Sequence, residues 1–297
     1  MDLQNRCALC GNQAELKLSH IIPKFVFRYL KKDSFTGRMR MTSDPNRAVQ
    51  DGDKIYLLCG TCEGLFSKNE TYFSNTIYRP FKEGGFNGLK YDKDSLYFFI
   101  TSVNWRTLYL DLIEFCEDKD EENKATVKQL ELLKKAEEIM RSYLLGERSD
   151  LDNIENHIFF FDTVKSMEGP ETLRNPHVLV QGSAFGYTVL ANEHDAIYVF
   201  ANLTGAIIVT IIKKAKKEKW KNTFVKRESG KIKVPQFTNS PVFSELFYWQ
   251  EQRDKYLEQM SEKQRNIINE KIINDQDGFE KSGTYKRFIK DTYIETK

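Results

Sequence analysis

The chain has 297 residues, a length that fits one large domain or two moderate ones. Apolar residues make up 40% of it, including 21 Phe and 14 Tyr, which is enough for substantial hydrophobic cores and argues against a disordered chain. The formal net charge of +2 neither requires nor excludes a nucleic-acid partner, because a local basic face can bind a polyanion.

The sequence shows no targeting or membrane segment. The residues after Met1 are polar and charged, without the basic-then-apolar layout of a signal peptide. The longest apolar runs, such as residues 206–212, are far shorter than the roughly 20 residues of a membrane helix. We therefore expect a soluble cytoplasmic protein without a membrane partner.

Two C-x-x-C pairs stand out in residues 1–80. They contain Cys7, Cys10, Cys59 and Cys62. In a reducing compartment such pairs are more consistent with a metal than with disulfides, and four thiolates supply the tetrahedral shell of a structural zinc site. The alternative, a redox-active C-x-x-C, would require a neighbouring βαβ pattern, which the sequence lacks. The sequence therefore predicts one structural Zn²⁺.

The segment between the two pairs is expected to contain a helix, an insertion and a strand. Pro23 is suited to a first helical position and predicts a short helix over residues 24–32. Residues 33–53 are rich in Gly, Ser, Asp and Asn and indicate a long loop or hairpin insertion. Residues 54–58 are a strand candidate, and the pattern from Cys62 to about Phe73 is helical.

The middle of the chain has helical periodicity. Residues 94–116 are apolar nearly all round, which indicates a buried helix, and Cys116 near its end is expected to be a buried thiol. Residues 121–146 form a second, amphipathic helical pattern that stops at Gly146.

The second half has strand character and then returns to helix. Runs rich in Val, Ile, Phe and Tyr, with turn candidates such as Gly169-Pro170 between them, predict an antiparallel sheet. The predicted strands cover residues 157–164, 177–190, 196–200, 206–212 and 231–234, with helices from residue 242 onward. The expected fold is α+β, with a zinc module at 1–80, a helical segment at 81–150 packed on it, and a strand-rich domain with C-terminal helices at 151–297.

The order of the motifs resembles a known family. C-x-x-C is followed by Ser19-His20-Ile21-Ile22-Pro23 and then by Leu58-Cys59-Gly60-Thr61-Cys62-Glu63. This order resembles the zinc-containing HNH endonucleases, also named ββα-metal nucleases, whose zinc module is a treble clef. The resemblance covers roughly residues 7–73. With the later string from Ser102 to Arg106 it extends to about residue 110 and points to a divergent bacterial branch of the family.

The resemblance implies a nuclease site. His20 falls on the family's general base, and histidine titrates near neutrality, as a base for water requires. Glu63 falls on a position that faces the catalytic metal, and Glu70 lies two helical turns further along the same face, so both are candidate ligands for Mg²⁺ or Mn²⁺. Asn69 and Ser67 are weaker candidates.

The sequence also departs from the family pattern. Ser19 stands where the family usually has an acidic or histidine ligand, and the expected Asn before the second cysteine pair is replaced by the region of Asp53 and Lys54. The second histidine of the helix is missing. His20 packed against the zinc site, Glu63 as a favourable charge at a helix N-terminus, and Glu70 as a surface residue are the structural alternatives. Arg106, in a buried helix, needs either a phosphate or an internal carboxylate as partner.

Two basic segments are candidate DNA contacts. Lys24, Arg28 and Lys31, with Lys32, follow His20 and share a helical face. The second segment is a lysine-rich run with Trp220 and Phe224, which is either a nucleic-acid contact or a solvated hairpin edge. Its basic residues are Lys213, Lys214, Lys216, Lys217, Lys219, Lys221, Lys226 and Arg227. The remaining histidines, His157, His177 and His194, share no ligand spacing and are expected to be structural.

The leading functional hypothesis is a metal-dependent HNH-type endonuclease that hydrolyses DNA phosphodiester bonds, with a role in defence against foreign DNA by family analogy. One alternative is a non-catalytic zinc-knuckle module that binds nucleic acid or protein. The other is a scaffold subunit whose C-terminal half assembles with another protein or with a second copy.

Overall fold

The computed structural model describes residues 5–41, 43–84, 86–91, 93–117, 125–167 and 173–296. Its N-terminal part contains β1 (Leu16–His20), α1 (Lys24–Asp33), β2 (Met39–Met41), β3 (Asp44–Val49), β4 (Lys54–Cys59) and α2 (Gly60–Phe73). The middle part contains a π-helical turn (Ser74–Tyr78), α3 (Arg79–Glu83), β5 (Gly88–Tyr91), α4 (Ser95–Glu117) and α5 (Val127–Leu144).

The C-terminal part alternates short strands and helices before it ends in a run of helices. Its elements are β6 (Glu155–Phe160), β7 (Ser166–Met167), α6 (Pro176–Gln181), β8 (Ala184–Ala191), β9 (Ala196–Leu203), β10 (Ala206–Lys213), β11 (Trp220–Lys221), β12 (Gly230–Lys233), β13 (Phe237–Thr238), α7 (Glu245–Gln259), α8 (Glu262–Asn274), α9 (Gln276–Lys281), α10 (Gly283–Asp291) and β14 (Glu295–Thr296). The mixed α+β class predicted from the sequence is confirmed. Among the helices of the described residues, none combines the length and the apolar character needed to cross a bilayer.

The predicted elements around the cysteines are present. Strands β1 and β4 form an antiparallel ribbon in which His20 lies opposite Lys54. The insertion at 33–53 contains the hairpin of β2 and β3. Helix α2 begins directly after β4, so the chain passes without a loop from the strand that ends at Cys59 into the helix that contains Cys62.

The predicted antiparallel sheet has four strands in the order β6-β10-β9-β8. Side chains alternate between its two faces, as a strand requires. Val199 of β9 joins a core cluster that also contains Cys7 and Phe66, whereas Tyr198 and Phe200 join a second cluster on the other face of the sheet. The first cluster takes residues from all three of the predicted segments, so the N-terminal module shares its core with the sheet.

Helix α4 lies at the centre of the first cluster, and the predicted buried helix is confirmed. Every residue from Leu96 to Leu108 is buried, because the helix packs on α2, α5 and the sheet. A polar chain fixes it to the sheet: the amide of Asn104 donates to Thr210 (2.7 Å), whose hydroxyl donates to Asn156 (2.7 Å). Because buried polar groups require partners, this chain specifies one position of α4 on the sheet.

Full burial ends at Leu108, before the helix does, and the prediction for Cys116 is wrong. This thiol is exposed on the solvent side of the last turns of α4, together with Glu114 and Glu117, whereas Leu112 and Phe115 still pack against the core. An apolar pattern predicts the face that a helix buries, but not how far along the helix its neighbours reach.

The prediction of a strand over residues 177–190 is also corrected. Residues 176–181 form helix α6, and only Ala184–Ala191 form a strand. Asn175 has a positive φ of 50°, and Pro176 then opens the helix. Leu179 and Val180 are buried against the second face of the sheet, so tertiary burial overrides the strand preference of this apolar run. The turn candidate Gly169-Pro170 and the predicted start of the second long helix at residues 121–124 lie outside the described residues.

The C-terminal helices fold back onto the N-terminal hairpin. Lys271 donates to the backbone carbonyl of Phe35 (2.9 Å), and the backbone N–H of Ser261 donates to Asn46 (2.8 Å). Arg287 of α10 forms an ion pair with Asp33 at the end of α1. The predicted C-terminal helices therefore contact the insertion between the cysteine pairs as well as the sheet.

Asp111 connects the end of α4 to strand β8. Its carboxylate accepts a hydrogen bond from the backbone N–H of Thr188 (2.5 Å), and burial raises the pKa of Asp111 from 3.8 to about 6. Because the unfolded chain loses this proton at lower pH than the folded chain, the contribution of Asp111 becomes less favourable as pH rises from about 4 to 6.

Asp111→Asn should therefore stabilise the protein at pH 8 by about 3 kcal/mol and have little effect at pH 4. The substitution keeps an oxygen that accepts from Thr188 and removes the buried charge. Urea unfolding at both pH values measures the difference, with exposed Asp53→Asn as the control. A difference that does not vary with pH would contradict the assigned pKa.

Candidate functional site

The four predicted zinc ligands converge. The sulfurs of Cys7, Cys10, Cys59 and Cys62 all lie within 4.8 Å of one another, and Cys10 Sγ is 3.9 Å from Cys59 Sγ. A tetrahedral zinc ion with Zn–S bonds of about 2.3 Å places its sulfurs about 3.8 Å apart. The donor set and its spacing therefore fit one four-coordinate zinc ion.

Each cysteine pair is positioned by local backbone structure. The first pair lies in a tight turn, where the N–H of Gly11, at a φ of 71°, donates to the carbonyl of Cys7 (2.8 Å). The N–H of Ala8 donates to Leu57 of β4 (3.0 Å), so this turn is attached to the strand that leads into the second pair. The pairing of β1 with β4 thus brings the two cysteine pairs together at one site.

The surroundings of the thiols shift their pKa values. Burial raises the pKa of Cys10 and Cys62. For Cys59, burial also acts to raise the pKa, but hydrogen bonds from the backbone and side chain of Cys62 outweigh it and lower the pKa. A lowered pKa favours the thiolate, which is the form that binds a metal.

His20 occupies the end of β1 and faces a carboxylate. Its Nε2 lies 3.0 Å from Oδ2 of Asp51, and the two side chains are 15% and 20% exposed. The ring N–H is not aligned with the carboxylate oxygen, so the contact is electrostatic rather than a well-formed hydrogen bond. Burial acts to raise the pKa of Asp51, but the interactions with His20, Gly52 and Lys54 lower it overall. A carboxylate thus stays ionised beside the imidazole.

Glu63 is tied to the strand that carries His20. The hydroxyl of Ser19, which is fully buried, donates to Oε2 of Glu63 (2.7 Å). Ser19 therefore orients the carboxylate of Glu63, which the sequence predicted as a metal ligand. Because serine and glutamate are attached to β1 and α2 respectively, the bond fixes the carboxylate relative to the strand.

Glu70 is engaged by a buried arginine. Its Oε1 accepts from Nη2 of Arg106 (2.7 Å), and Nη1 of Arg106 donates to the backbone carbonyl of His20 (2.8 Å). Arg106 is 1% exposed, so the expectation that it has an internal carboxylate partner is confirmed. Its guanidinium joins the end of β1 to the last turn of α2. The carboxylate assigned as a second metal ligand is thus neutralised within the protein.

Among the described residues, the four cysteines are the one group of three or more His, Cys, Asp or Glu side chains that lie close enough to share a metal ion. Asn69, a weaker ligand candidate, is buried and donates to the carbonyl of Leu65 (3.2 Å). Ser67 is exposed on α2.

The basic residues on α1 differ in their surroundings. Lys24, Arg28 and Lys32 are exposed, and none forms an ion pair with a carboxylate of the described residues. Lys31 donates to the backbone carbonyl of Gln50 (2.7 Å). It therefore fixes the loop that carries Asp51, whereas its three neighbours remain available to a partner.

The lysine-rich run is partly neutralised. Lys214 pairs with Glu155 (3.0 Å) and Lys213 with Asp195, while the remaining lysines of the run are exposed. Trp220 is half-buried and packs on His157 with their ring centroids 4.6 Å apart. This contact gives the tryptophan a packing role.

The other histidines lie apart from His20. His157 is buried between Thr223 (3.0 Å) and Glu155, and His177 is buried against Gln181 (3.2 Å), consistent with the structural roles predicted for them. His194 is exposed in the turn between β8 and β9.

A cavity of about 520 Å³ lies beside the zinc ligands but not at His20. It is bounded by the ribbon of β1 and β4, including Leu16 and Tyr56, and by the end of α4, including Leu110 and Ile113. Neither His20 nor its carboxylate neighbours line it. The polar groups around His20, rather than this cavity, therefore define the candidate site.

Sequence reasoning did not identify Asp51 as a partner of His20. It lies in the predicted insertion, 31 positions from the histidine, with no recurrent spacing to mark it. The pairing register of β1 with β4 would have identified Asp51. Because His20 lies opposite Lys54, Asp51 must lie just beyond the same end of the ribbon.

No protein-family model matches this chain, and no curated protein or solved structure is significantly similar to it. Its function is therefore inferred from the residues and contacts described above.

Proposed function

We propose that this chain is an HNH-type endonuclease with a structural zinc site, in which His20 activates water to attack a DNA phosphodiester bond. The observation that carries the proposal is the placement of the His20 imidazole 3.0 Å from the ionised Asp51, at the end of the β1–β4 ribbon that is remote from Cys59. A half-buried histidine with a carboxylate partner is the pairing that general-base catalysis uses.

The local architecture supports the family resemblance. A turn with the first cysteine pair, the ribbon of β1 and β4, and a helix that opens with the second pair follow one another around the sulfurs. This order corresponds to a treble clef, the zinc module of the HNH nucleases. In that arrangement the zinc ion is structural, because the four thiolates close its coordination shell.

The carboxylate of Asp51 would act through His20. When the imidazole accepts a proton from water it becomes a cation, and a neighbouring ionised carboxylate stabilises that cation. Arg106 and Ser19 position the same strand, the first through the carbonyl of His20 and the second through Glu63. The base therefore has one contact to its ring and one to its backbone, and the preceding residue of its strand is held by Glu63.

Glu63 is the residue that would hold Mg²⁺ or Mn²⁺. Magnesium is commonly bound by one or two carboxylates, with substrate phosphate and water completing the shell, so a single half-buried carboxylate fits a site that the substrate completes. The ion would supply positive charge for the leaving oxygen. Glu70 is not needed in this role, since Arg106 neutralises it.

Helix α1 would hold the DNA backbone. Lys24, Arg28 and Lys32 are exposed directly after the strand that ends at His20. Lysine and arginine attract phosphate without reading sequence, which makes binding dependent on salt. This placement supports the proposal that DNA approaches from the side of α1.

A second function is favoured by one specific observation. The ion pair with Arg106 neutralises the candidate ligand Glu70, and a serine stands at position 19, where the family usually has a metal ligand. The same scaffold could then bind DNA or a protein without cutting it. The non-catalytic zinc module therefore remains the alternative proposal.

We expect His20→Ala to reduce plasmid cleavage by about 10²–10⁴-fold, because the variant lacks the base that activates water. Supercoiled plasmid incubated with Mg²⁺ or Mn²⁺ measures the rate, and one bound zinc per chain confirms that the variant is folded. His194→Ala is the matched control, since that histidine is exposed and distant in sequence from the site. Unchanged cleavage by His20→Ala would exclude His20 as the base, and an inert wild type that binds DNA would favour the non-catalytic alternative.

A further inference from the structure

A second, aromatic cavity lies between α7 and β8, away from the cysteine cluster. It measures about 260 Å³ and is lined by Tyr187, Glu245, Tyr248 and Trp249. The rings of Tyr187 and Trp249 are 6.0 Å apart at 46°, and those of Tyr248 and Trp249 are 5.7 Å apart at 77°. Three aromatic side chains inclined to one another thus surround a small space together with one carboxylate.

A chain of hydrogen bonds fixes the carboxylate in this cavity. The indole N–H of Trp249 donates to the hydroxyl of Tyr187 (2.8 Å), which in turn donates to Oε2 of Glu245 (2.6 Å). Burial and the charge of Glu245 raise the pKa of Tyr187, so the phenol keeps its proton and remains a donor. Phe185 stacks on the indole with a centroid separation of 4.0 Å and holds the ring in place.

The carboxylate of Glu245 has no cationic partner in the described part of the chain. No lysine, arginine or histidine of those ranges lies within ion-pair distance of it, although ion pairs are common elsewhere in the structure. Glu245 is half-buried, at the start of α7. The cavity therefore combines a negative charge with the electron-rich faces of aromatic rings, and both attract cations.

We propose that this cavity binds a quaternary or methylated ammonium group, with the aromatic rings around the alkyl groups and Glu245 opposite the charge. Aromatic cages recognise such cations because the rings attract positive charge and the methyl groups require little hydration. An anion such as phosphate would be repelled by Glu245. A primary ammonium, which is strongly hydrated, would lose more water than a single carboxylate replaces.

A purely structural role accounts for these residues less well. Strand β8 is an edge of the four-stranded sheet, and Trp249 of α7 packs on its Phe185, a contact that apolar packing alone would accomplish. Tyr248, however, is 50% exposed and adds little to that cover. The carboxylate of Glu245, which forms no ion pair within the described part of the chain, likewise adds a charge that packing does not require.

Titration of the full chain with choline tests the proposal. Tetramethylammonium and choline should bind saturably and change the fluorescence of Trp249. The neutral isostere 3,3-dimethyl-1-butanol, which has carbon in place of the charged nitrogen, should bind about tenfold more weakly because it lacks the cation–π and ionic attraction. Isothermal calorimetry gives an independent affinity.

Variants identify the site. Glu245→Gln and Tyr248→Ala should each weaken choline binding by at least about fivefold, because one removes the charge and the other opens the aromatic wall. Tyr293→Ala is the matched control, since Tyr293 is 78% exposed and outside the cavity. Circular dichroism checks that each variant is folded, and Tyr248 is exposed enough for its removal to be tolerated.

A further titration, with a peptide, distinguishes two sources of the ligand. A peptide with trimethyllysine that binds at least tenfold more tightly than choline would indicate a modified protein as the partner, whereas equal affinities would indicate a small molecule. Equal binding of choline and its neutral isostere, no saturable binding of either cation, or unchanged affinity in Glu245→Gln would overturn the proposal. Its outcome is independent of nuclease activity, because the cavity residues lie on α7 and β8, apart from His20 and the cysteines.

Discussion

Loss of any one of the four clustered cysteines is expected to unfold the N-terminal part of the chain. The two pairs are 48 residues apart, and the turn that carries Cys7 is held to β4 by few backbone hydrogen bonds. Structural zinc contributes about 10–16 kcal/mol to the folding of small modules at neutral pH. Because Cys7 and Cys59 also belong to the main core cluster, the loss should spread to α2 and α4.

Cys59→Ser and chelation of the wild type measure this effect. Both should lower the thermal midpoint sharply and expose α2 to proteolysis, with one zinc released per wild-type chain. Cys116→Ser is the matched control, because this thiol is exposed and lies outside the cluster. A chelated protein with an unchanged midpoint, or a Cys116→Ser variant as unstable as Cys59→Ser, would contradict the structural role of the metal.

Glu70→Ala is the second substitution with a large expected effect. It leaves the guanidinium of Arg106, which is 1% exposed, without its carboxylate. Breaking a buried ion pair from one side typically destabilises by about 3–5 kcal/mol, because an uncompensated charge remains in the interior. Since the same arginine donates to the carbonyl of His20, the end of β1 should also lose its position.

A double-mutant cycle with Arg106→Met and Glu70→Ala measures the interaction between the two side chains separately from the cost of each substitution. The double variant should be more stable than Glu70→Ala, because it leaves no unpaired charge and fills the space with an apolar side chain. Urea unfolding gives each free energy. Glu63→Ala on the same helix is the control and should cost about 1 kcal/mol, the loss of one hydrogen bond to Ser19. If Glu70→Ala costs no more than this control, the buried pair does not stabilise the site.

The shared core determines how far the parts of the chain can be regarded as separate domains. The sequence predicted a zinc module that ends at about residue 80 and a division near residue 150, where helical character changes to strand character. In the structure α4 packs on both α2 and the four-stranded sheet, and the C-terminal helices contact the hairpin of β2 and β3. Stability of the zinc module should therefore depend on residues more than 200 positions away, and the division into three parts remains a prediction.

Local patterns identified most helices and strands. The helix after Pro23, the strand before Cys59 and the buried helix α4 each follow from a residue that starts an element or from a repeated apolar spacing. Local patterns failed at residues 176–181, where an apolar run long enough for a strand is instead a short helix packed on the sheet. An apolar run indicates burial, and its neighbours in space decide which secondary structure buries it.

Local patterns likewise predicted only part of the candidate site. The sequence by itself determined the four sulfur donors, because two C-x-x-C pairs are typical of a shared metal ion. The candidate roles of His20 and Glu63 came from the resemblance to the HNH endonucleases. Only the tertiary structure decided that Asp51 faces His20 and that Arg106 is shared between His20 and Glu70. Spacing along the chain specifies contacts within a turn or a helix, whereas these contacts depend on strand register and on the packing of α4, which bring together groups 31 to 86 residues apart.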